Sequence, residues 1–322
     1  MDLFHYSLIS SKTLQFIESL HTKAQILSWS LHDTISEEDI DYIALSFKNC
    51  WNLIFYLNIL TEDQWNQRIQ QGGRAYHLQG SISLISRVES GLSIYIYSRT
   101  LSEDLIRALS VYLQRIYQIE RFSLQSWQAP VALFQPYLLE KRIFSNLEFY
   151  PDYDEDEEQI TYTFSSETLR ILLEDVKAEF FKLLVPIEEF KYTEPLNHEK
   201  MEIQEATWLT IHSLISSDNI KVLEATGTLI SAGEVISFIT KWLEGGFSEL
   251  EWIYLWSRDQ NFEEILEKFD FTKRDQNLQK YHGRNSCDKG YDIRRPGDGL
   301  LATVVVNKGQ LRMMVWQKKF ID

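Results

Sequence analysis

Segments of this chain switch repeatedly between two hydrophobic periods, and that alternation constrains the fold more than any other feature. Leu14, Ile17 and Leu20 stand three residues apart, as on the buried stripe of a helix, whereas Leu27, Trp29 and Leu31 alternate as on a strand. The switch falls near Lys23. Further on, Tyr42 to Phe47 and Trp51 to Leu57 read as two strands around Asn49-Cys50, and Leu92 to Tyr97 as a third. A helix follows, with Leu105, Leu109, Leu113 and Ile116 three or four apart and Ser102, Glu103 and Asp104 at its start as an N-cap with acidic residues against the helix dipole. The stripe of Leu169, Leu172, Leu173, Val176, Phe180, Leu183 and Leu184 predicts one helix from Ser166 to Leu184, stopped by Pro186.

After that helix the pattern cycles. A strand near Phe190, a helix at Ile211 to Leu214, a strand at Ile220 to Ala225, a helix at Gly233 to Leu243 and a strand at Leu250 to Trp256 put strand starts about 30 residues apart, the spacing of βα units. The chain ends differently. Tyr291 to Arg295, Leu300 to Val306 and Gln310 to Trp316 read as three antiparallel strands joined by turns at Gly297-Asp298-Gly299 and Asn307-Lys308-Gly309. The expected fold is therefore α/β: irregular leucine-rich-repeat-like βα repeats, a small C-terminal antiparallel β meander and an N-terminal helical remnant. Expected divisions are a helical segment at 1–25, a first part of the α/β body at 26–190, and 191–322 with the meander. Six carboxylates in the seven residues from Asp152 to Glu158 read as a solvated, self-repelling loop.

Charge narrows the function. With 32 Lys and Arg against 47 Asp and Glu, a formal balance of -15, a protein that wraps nucleic acid on a broad basic face is disfavoured. Residues 270–322 reverse that sign, with 11 basic and 6 acidic side chains, so the tail suits an acidic partner or the acidic body of its own chain. Cys50 and Cys287 are too few for a disulfide framework or a Cys-built zinc site. No basic leader precedes an apolar run and no span of roughly 18 uncharged apolar residues occurs. The expectation is a cytoplasmic or nuclear protein that engages neither membrane nor nucleic acid.

Catalytic motifs are not visible. Gly-rich phosphate loops, G-x-S-x-G, H-E-x-x-H and the kinase set are missing from the sequence, and Gly72-Gly73-Arg74 lacks both a Lys-Ser/Thr partner and a preceding strand. His198, His212 and Glu199 do not fall on one helical face as metal ligands would, and Ser217-Asp218-Asn219 lacks an S-x-x-K partner and reads as a turn. None of the 47 carboxylates is marked as one of a buried, opposed pair. No catalytic residue, metal or cofactor is expected. The aromatic run Trp252-Ile253-Tyr254-Leu255-Trp256 sends Trp252, Tyr254 and Trp256 to one strand face. That face is a binding surface if solvent reaches it, or one side of a strand buried on both faces.

Phe247-Ser248-Glu249-Leu250-Glu251-Trp252 after Trp242-Leu243-Glu244-Gly245-Gly246, followed by Gly290-Tyr291-Asp292-Ile293-Arg294-Arg295 and Asp298-Gly299-Leu300-Leu301-Ala302-Thr303, resembles the nematode F-box-associated domain. Phe47-Lys48-Asn49-Cys50-Trp51-Asn52-Leu53 resembles the same family of nematode F-box proteins. The resemblance implies a non-enzymatic substrate-recognition subunit, whose F-box docks on the adaptor of a cullin-based ubiquitin ligase while the associated domain holds an unknown protein target. Met1 to Thr13 is similar to the later part of an F-box only, without its Leu-Pro segment and first helix. That departure implies either a shortened chain or one that has given up ligase docking, leaving a stand-alone interaction or neutralising module. Leu3, Phe4, Leu8, Leu14 and Ile17 are the remaining adaptor-facing candidates, the alternative being that they pack the first helices on the body. Partner-facing candidates are Trp252, Tyr254, Trp256, Arg294 and Arg295, with the arginine doublet placing one side chain on each strand face.

Overall fold

The structure is a computed structural model that describes residue 15 and residues 22–31, 42–47, 52–71, 75–78, 81–87, 93–98, 102–127, 143–151, 164–187, 190–274 and 290–316. It is a mixed α/β chain in two units, residues 1–147 and 148–322. In the first unit the elements are β1 (Thr22–Leu31), β2 (Tyr42–Ser46), β3 (Asn52–Ile59), α1 (Glu62–Gln70), β4 (Ala75–Leu78), β5 (Ser81–Arg87), β6 (Ser93–Ser98), α2 (Ser102–Ile116) and β7 (Tyr117–Trp127). Strand β8 (Ile143–Tyr150) contains the division.

The first unit orders its strands β7-β1-β2-β3-β6-β5-β4, parallel at β7/β1 and β3/β6 and antiparallel elsewhere. Alternation decides its core. Leu27, Trp29, Ile43, Leu45, Leu53, Phe55, Leu57, Ile94 and Ile96 are buried in register across four strands. Buried Ile106, Leu109 and Leu113 form the apolar stripe of α2, and Trp29 Nε1 donates to Ser110 Oγ of that helix at 2.7 Å. Tyr56, Tyr95 and Tyr97 stack on the opposite face, where Arg68 of α1 lies 3.7 Å from the Tyr97 ring centre. Helix α1 opens with a capping box, Thr61 Oγ1 accepting from Gln64 N–H while the Gln64 side chain accepts from Thr61 N–H.

The second unit continues with α3 (Ser166–Glu174), β9 (Lys177–Leu183), β10 (Lys200–Ile203), α4 (Ile211–Ile215), β11 (Val222–Thr226), α5 (Ala232–Leu243), β12 (Trp252–Asn261), β13 (Thr272–Lys273), β14 (Tyr291–Arg294) and β15 (Leu301–Trp316). Strands β9, β10, β11 and β12 are parallel and lie side by side in chain order. Right-handed crossovers between neighbours taken in one direction carry every connection over the same face. Phe181, Leu183, Met201, Ile203, Leu223, Ala225, Ile253 and Leu255 are accordingly buried in register on that face, and α4 packs on α5 there. Helix α5 begins with its own capping box, Ser231 with Glu234, and buries Val235, Phe238, Ile239 and Trp242.

Two local expectations are corrected. The helix expected over Ser166 to Leu184 ends at Glu174, and Lys177–Leu183 is a strand. Val176, Phe180 and Leu183 stand four and three residues apart, as on a helix stripe, but pairing of Phe181 with Met201 and Leu183 with Ile203 overrides that local pattern. No strand forms at Phe190. Tyr192 makes a single bridge to Leu209, and the strand of this interval is the four-residue β10, too short to show a period.

Strand β15 reverses on itself. Fully extended, Thr303 and Trp316 would lie about 43 Å apart, yet Trp316 Nε1 donates to Thr303 Oγ1 at 2.8 Å. The bend lies at the expected Asn307-Lys308-Gly309 turn, with Gly309 at φ 72° and its Cα so close to Ser257 O that a Cβ would sit 2.6 Å from it. The first arm pairs with β14 and the second with β12, both antiparallel, as a meander requires. No helix among the described residues is long and apolar enough to cross a membrane.

Candidate functional site on the second sheet face of unit two

Because the crossovers use one face of β9 to β12, the other face is left to alternate residues: Phe180 and Lys182 on β9, Glu202 on β10, Val222, Glu224 and Thr226 on β11, Trp252, Tyr254 and Trp256 on β12. Its two ends differ. At the β15 end Trp252, Met314 and Trp316 are buried in a small second core, with Val222, Tyr254, Leu301 and Val305 packed against it. At its rim, Thr303 Oγ1 accepts from Trp316 Nε1 at 2.8 Å and from Arg274 Nη1 at 2.7 Å, and donates to Asp292 Oδ1 at 2.6 Å. That uses the hydroxyl's one donor and both lone pairs. Arg274 also pairs with Asp292 at 3.1 Å and lies 4.6 Å from the Trp316 ring centre.

The middle of the face is half-exposed and polar. Lys182 pairs with Glu202 at 3.0 Å and lies 5.4 Å from the Tyr150 ring centre. Burial, followed by the hydrogen bond from Tyr150 Oη to Glu148 Oε2 and the nearby Glu148 and Glu202 charges, pushes the Tyr150 phenol well above its ordinary value. Arg312 lies 5.4 Å from the Tyr254 ring centre and donates weakly to Gln310 Oε1 at 3.4 Å. Glu224 stands between Glu202 and Tyr254 in register, half-buried, with no hydrogen bond or ion pair among the described residues.

Of the aromatic run, Trp252 is therefore a core residue whose indole N–H has no hydrogen-bond partner among the described residues, while Tyr254 and Trp256 are half-exposed. The arginine doublet separates as alternation requires. Arg294 is exposed and donates to Gly299 O at 3.2 Å. Arg295 is 5 % exposed, held by Asp298 through two hydrogen bonds and by Gly246 O at 3.0 Å, with Trp242 beneath it at 5.3 Å. It serves the fold. Leu3, Phe4, Leu8, Leu14, Ile17 and Gly72-Gly73-Arg74 lie outside the described residues.

The remaining polar candidates are spent on structure. His198 Nδ1 accepts from Ala178 N–H at 3.0 Å and its Nε2 donates to Leu172 O at 2.9 Å, while the ring stacks 4.5 Å from Phe181. Both nitrogens are occupied by backbone, and burial pulls the imidazole down to about 4. Glu199 pairs with Lys221 at 2.7 Å, and His212 is exposed on α4, so the structure does not bring His198, Glu199 and His212 together. Among the described residues no group of three metal-ligating side chains forms. Ser217 Oγ accepts from Leu196 N–H at 2.7 Å and donates to Ser213 O at 2.6 Å, as a turn residue does.

Sequence reasoning found the aromatic strand but missed Lys182, Glu202, Glu224 and Arg312. A signal existed for Glu224, since Val222, Glu224 and Thr226 alternate with the buried Leu223 and Ala225. Lys182 was hidden inside the overlong helix. No family model matches this chain, and neither a curated protein nor a solved structure is significantly similar to it.

Proposed function

We propose that this chain is a protein-recognition subunit, of the kind that F-box receptors supply to cullin-based ubiquitin ligases, and not a catalyst. The observation that carries this is the half-exposed row of Tyr254, Trp256 and Glu224 on a sheet face opposite the crossovers. Four parallel strands in chain order support the finer reading of β9 to β12 as irregular leucine-rich-repeat-like units, whose bare face is the usual place for a partner in solenoids. The likeness of the segments around Phe247 and Gly290 to the F-box-associated domain supports the ligase setting in the cytoplasm or nucleus.

Binding of the purified chain to the recombinant ligase adaptor tests the docking half. Retention of the adaptor, lost on Leu3→Ala with Phe4→Ala, is expected. If neither the chain nor a version preceded by a complete F-box helix retains the adaptor, the ligase assignment fails. A second reading, a stand-alone module that sequesters its partner, uses the same half-exposed face. Partner abundance separates them: proteasome-dependent loss belongs to the receptor, unchanged abundance to the sequestering module.

A further inference from the structure

We infer that the open face of the second unit takes a basic segment of its protein partner, seating a lysine or arginine side chain against Glu224, Tyr254 and Trp256. This rests on the reading of that face as a protein-binding surface and adds the chemistry of what it binds. Glu224 and Tyr254 are register partners on adjacent parallel strands, as are Thr226 and Trp256. The four side chains thus mark a rectangle about 4.8 Å by 6.6 Å on one face.

Its chemistry is incomplete as it stands. Glu202 already shares Lys182, whereas Glu224, next to it, has no cation among the described residues although it is half-buried. A carboxylate in that setting gains from a cation brought in by a partner, because partial burial weakens screening by water. The rings beside it supply a second attraction. Tyr254 already holds the Arg312 guanidinium at 5.4 Å from its β15 side, so its ring is placed to accept a cation, and the Glu224 side is the one not taken by Arg312. Trp256 and Thr226 form no side-chain hydrogen bond among the described residues, and both are half-exposed. An indole N–H and a threonine hydroxyl therefore remain for the backbone of an incoming strand.

Charge at longer range agrees. Residues 148–322 hold 33 acidic against 20 basic side chains, a balance of -13 out of the chain's -15, while residues 1–147 hold 14 against 12. A basic segment is steered to the second unit, and Glu224 gives it a specific seat there.

The test uses the full chain and two dye-labelled, end-blocked octapeptides, one alternating lysine and serine and one alternating glutamate and serine. Fluorescence anisotropy should show salt-sensitive binding of the lysine peptide alone. Glu224→Lys should weaken it at least tenfold, while Glu244→Lys, an equal charge change at the exposed end of α5, should leave it within about twofold. Absence of lysine-peptide binding, equal weakening by both substitutions, or equal binding of the glutamate peptide overturns the inference. If Glu224→Lys lowers the melting temperature, Trp256→Ala serves instead, with the same tenfold expectation and the same overturning result. Failure of the underlying reading looks different. A native partner lost on Trp256→Ala but indifferent to Glu224→Lys leaves the face a binding surface and removes only the basic seat, whereas a partner retained by both variants removes the face itself.

Discussion

Arg295 and Asp298 are joined by two parallel hydrogen bonds, Nε to Oδ1 at 3.0 Å and Nη2 to Oδ2 at 2.5 Å, across the tight turn that precedes β15. The same carboxylate accepts from Leu300 N–H at 3.0 Å, and the same guanidinium reaches back to Gly246 O at 3.0 Å. One ion pair thus shapes the turn and ties it to the end of α5.

Replacing Arg295 with Ala should therefore destabilise the second unit by about 1–3 kcal/mol, since the Gly246 carbonyl loses its donor and Trp242 loses its cover. Arg294→Ala, beside it but exposed, should change stability by less than about 0.5 kcal/mol. Denaturant titration of both variants checks the contrast. The guanidinium of Arg295 holds the Asp298 carboxyl down at about 2, below its ordinary value. A depressed carboxyl stabilises the fold above its unfolded value near 4 and loses that effect as pH falls through 2. Asp298→Asn should remove this part of the acid sensitivity between pH 4 and 2, read by circular dichroism.

A second pH effect lies higher. His198 is held neutral at about 4, below the ordinary 6.5 of an exposed imidazole. The unfolded chain binds the extra proton in between, so stability is complete above pH 6.5 and declines as pH falls through 4, by on the order of 3 kcal/mol. His198→Gln retains a donor and an acceptor for the backbone of Leu172 and Ala178 without titrating, so it should flatten that decline. Urea midpoints at pH 7, 6 and 5 for both proteins measure it.

The hydroxyl of Thr303 satisfies three partners at the rim of the second core. Thr303→Val keeps the volume and removes the hydroxyl, so the Trp316 indole loses its acceptor. A loss of about 1–3 kcal/mol is expected, with a change in tryptophan emission as Trp316 leaves its hydrogen bond. Thr303→Ser should recover most of both.

Gly290 enters β14 with no room for a side chain. A Cβ there would lie 2.6 Å from Thr303 Cγ2 and 2.9 Å from Val304 O. Backbone cannot give way as a flexible side chain does, so Gly290→Ala should cost about 1–3 kcal/mol. Gly297→Ala, where nothing lies within 4 Å, is the matched comparison and should be near neutral.

How much of this was legible in the chain depends on the range of the forces involved. Helix α5, strand β12 and the Asn307-Lys308-Gly309 turn could be read directly, because capping, apolar period and turn chemistry act over a few residues. The division of Ser166 to Leu184 into α3 and β9 could not, because Phe181 becomes a strand residue only through Met201, twenty positions on. The doublet of Arg294 and Arg295 was expected to face two ways. Which one turned inward was decided by Gly246 and Trp242, some fifty residues earlier. Alternation likewise sent Trp252, Tyr254 and Trp256 to one face, but Trp316 and Met314 decided that Trp252 is buried there while Tyr254 and Trp256 meet solvent. Caps, turns, the charge balance and the strongly periodic elements follow from neighbouring side chains and backbone preference, and were open to a reading of the chain alone. Tertiary contacts decided which strand pairs with which, which arginine is spent inside the fold, and that Glu224 stands next to Tyr254 in register with no ion pair among the described residues. Burial and hydrogen-bond satisfaction are set by residues distant in the chain, and no local pattern encodes them.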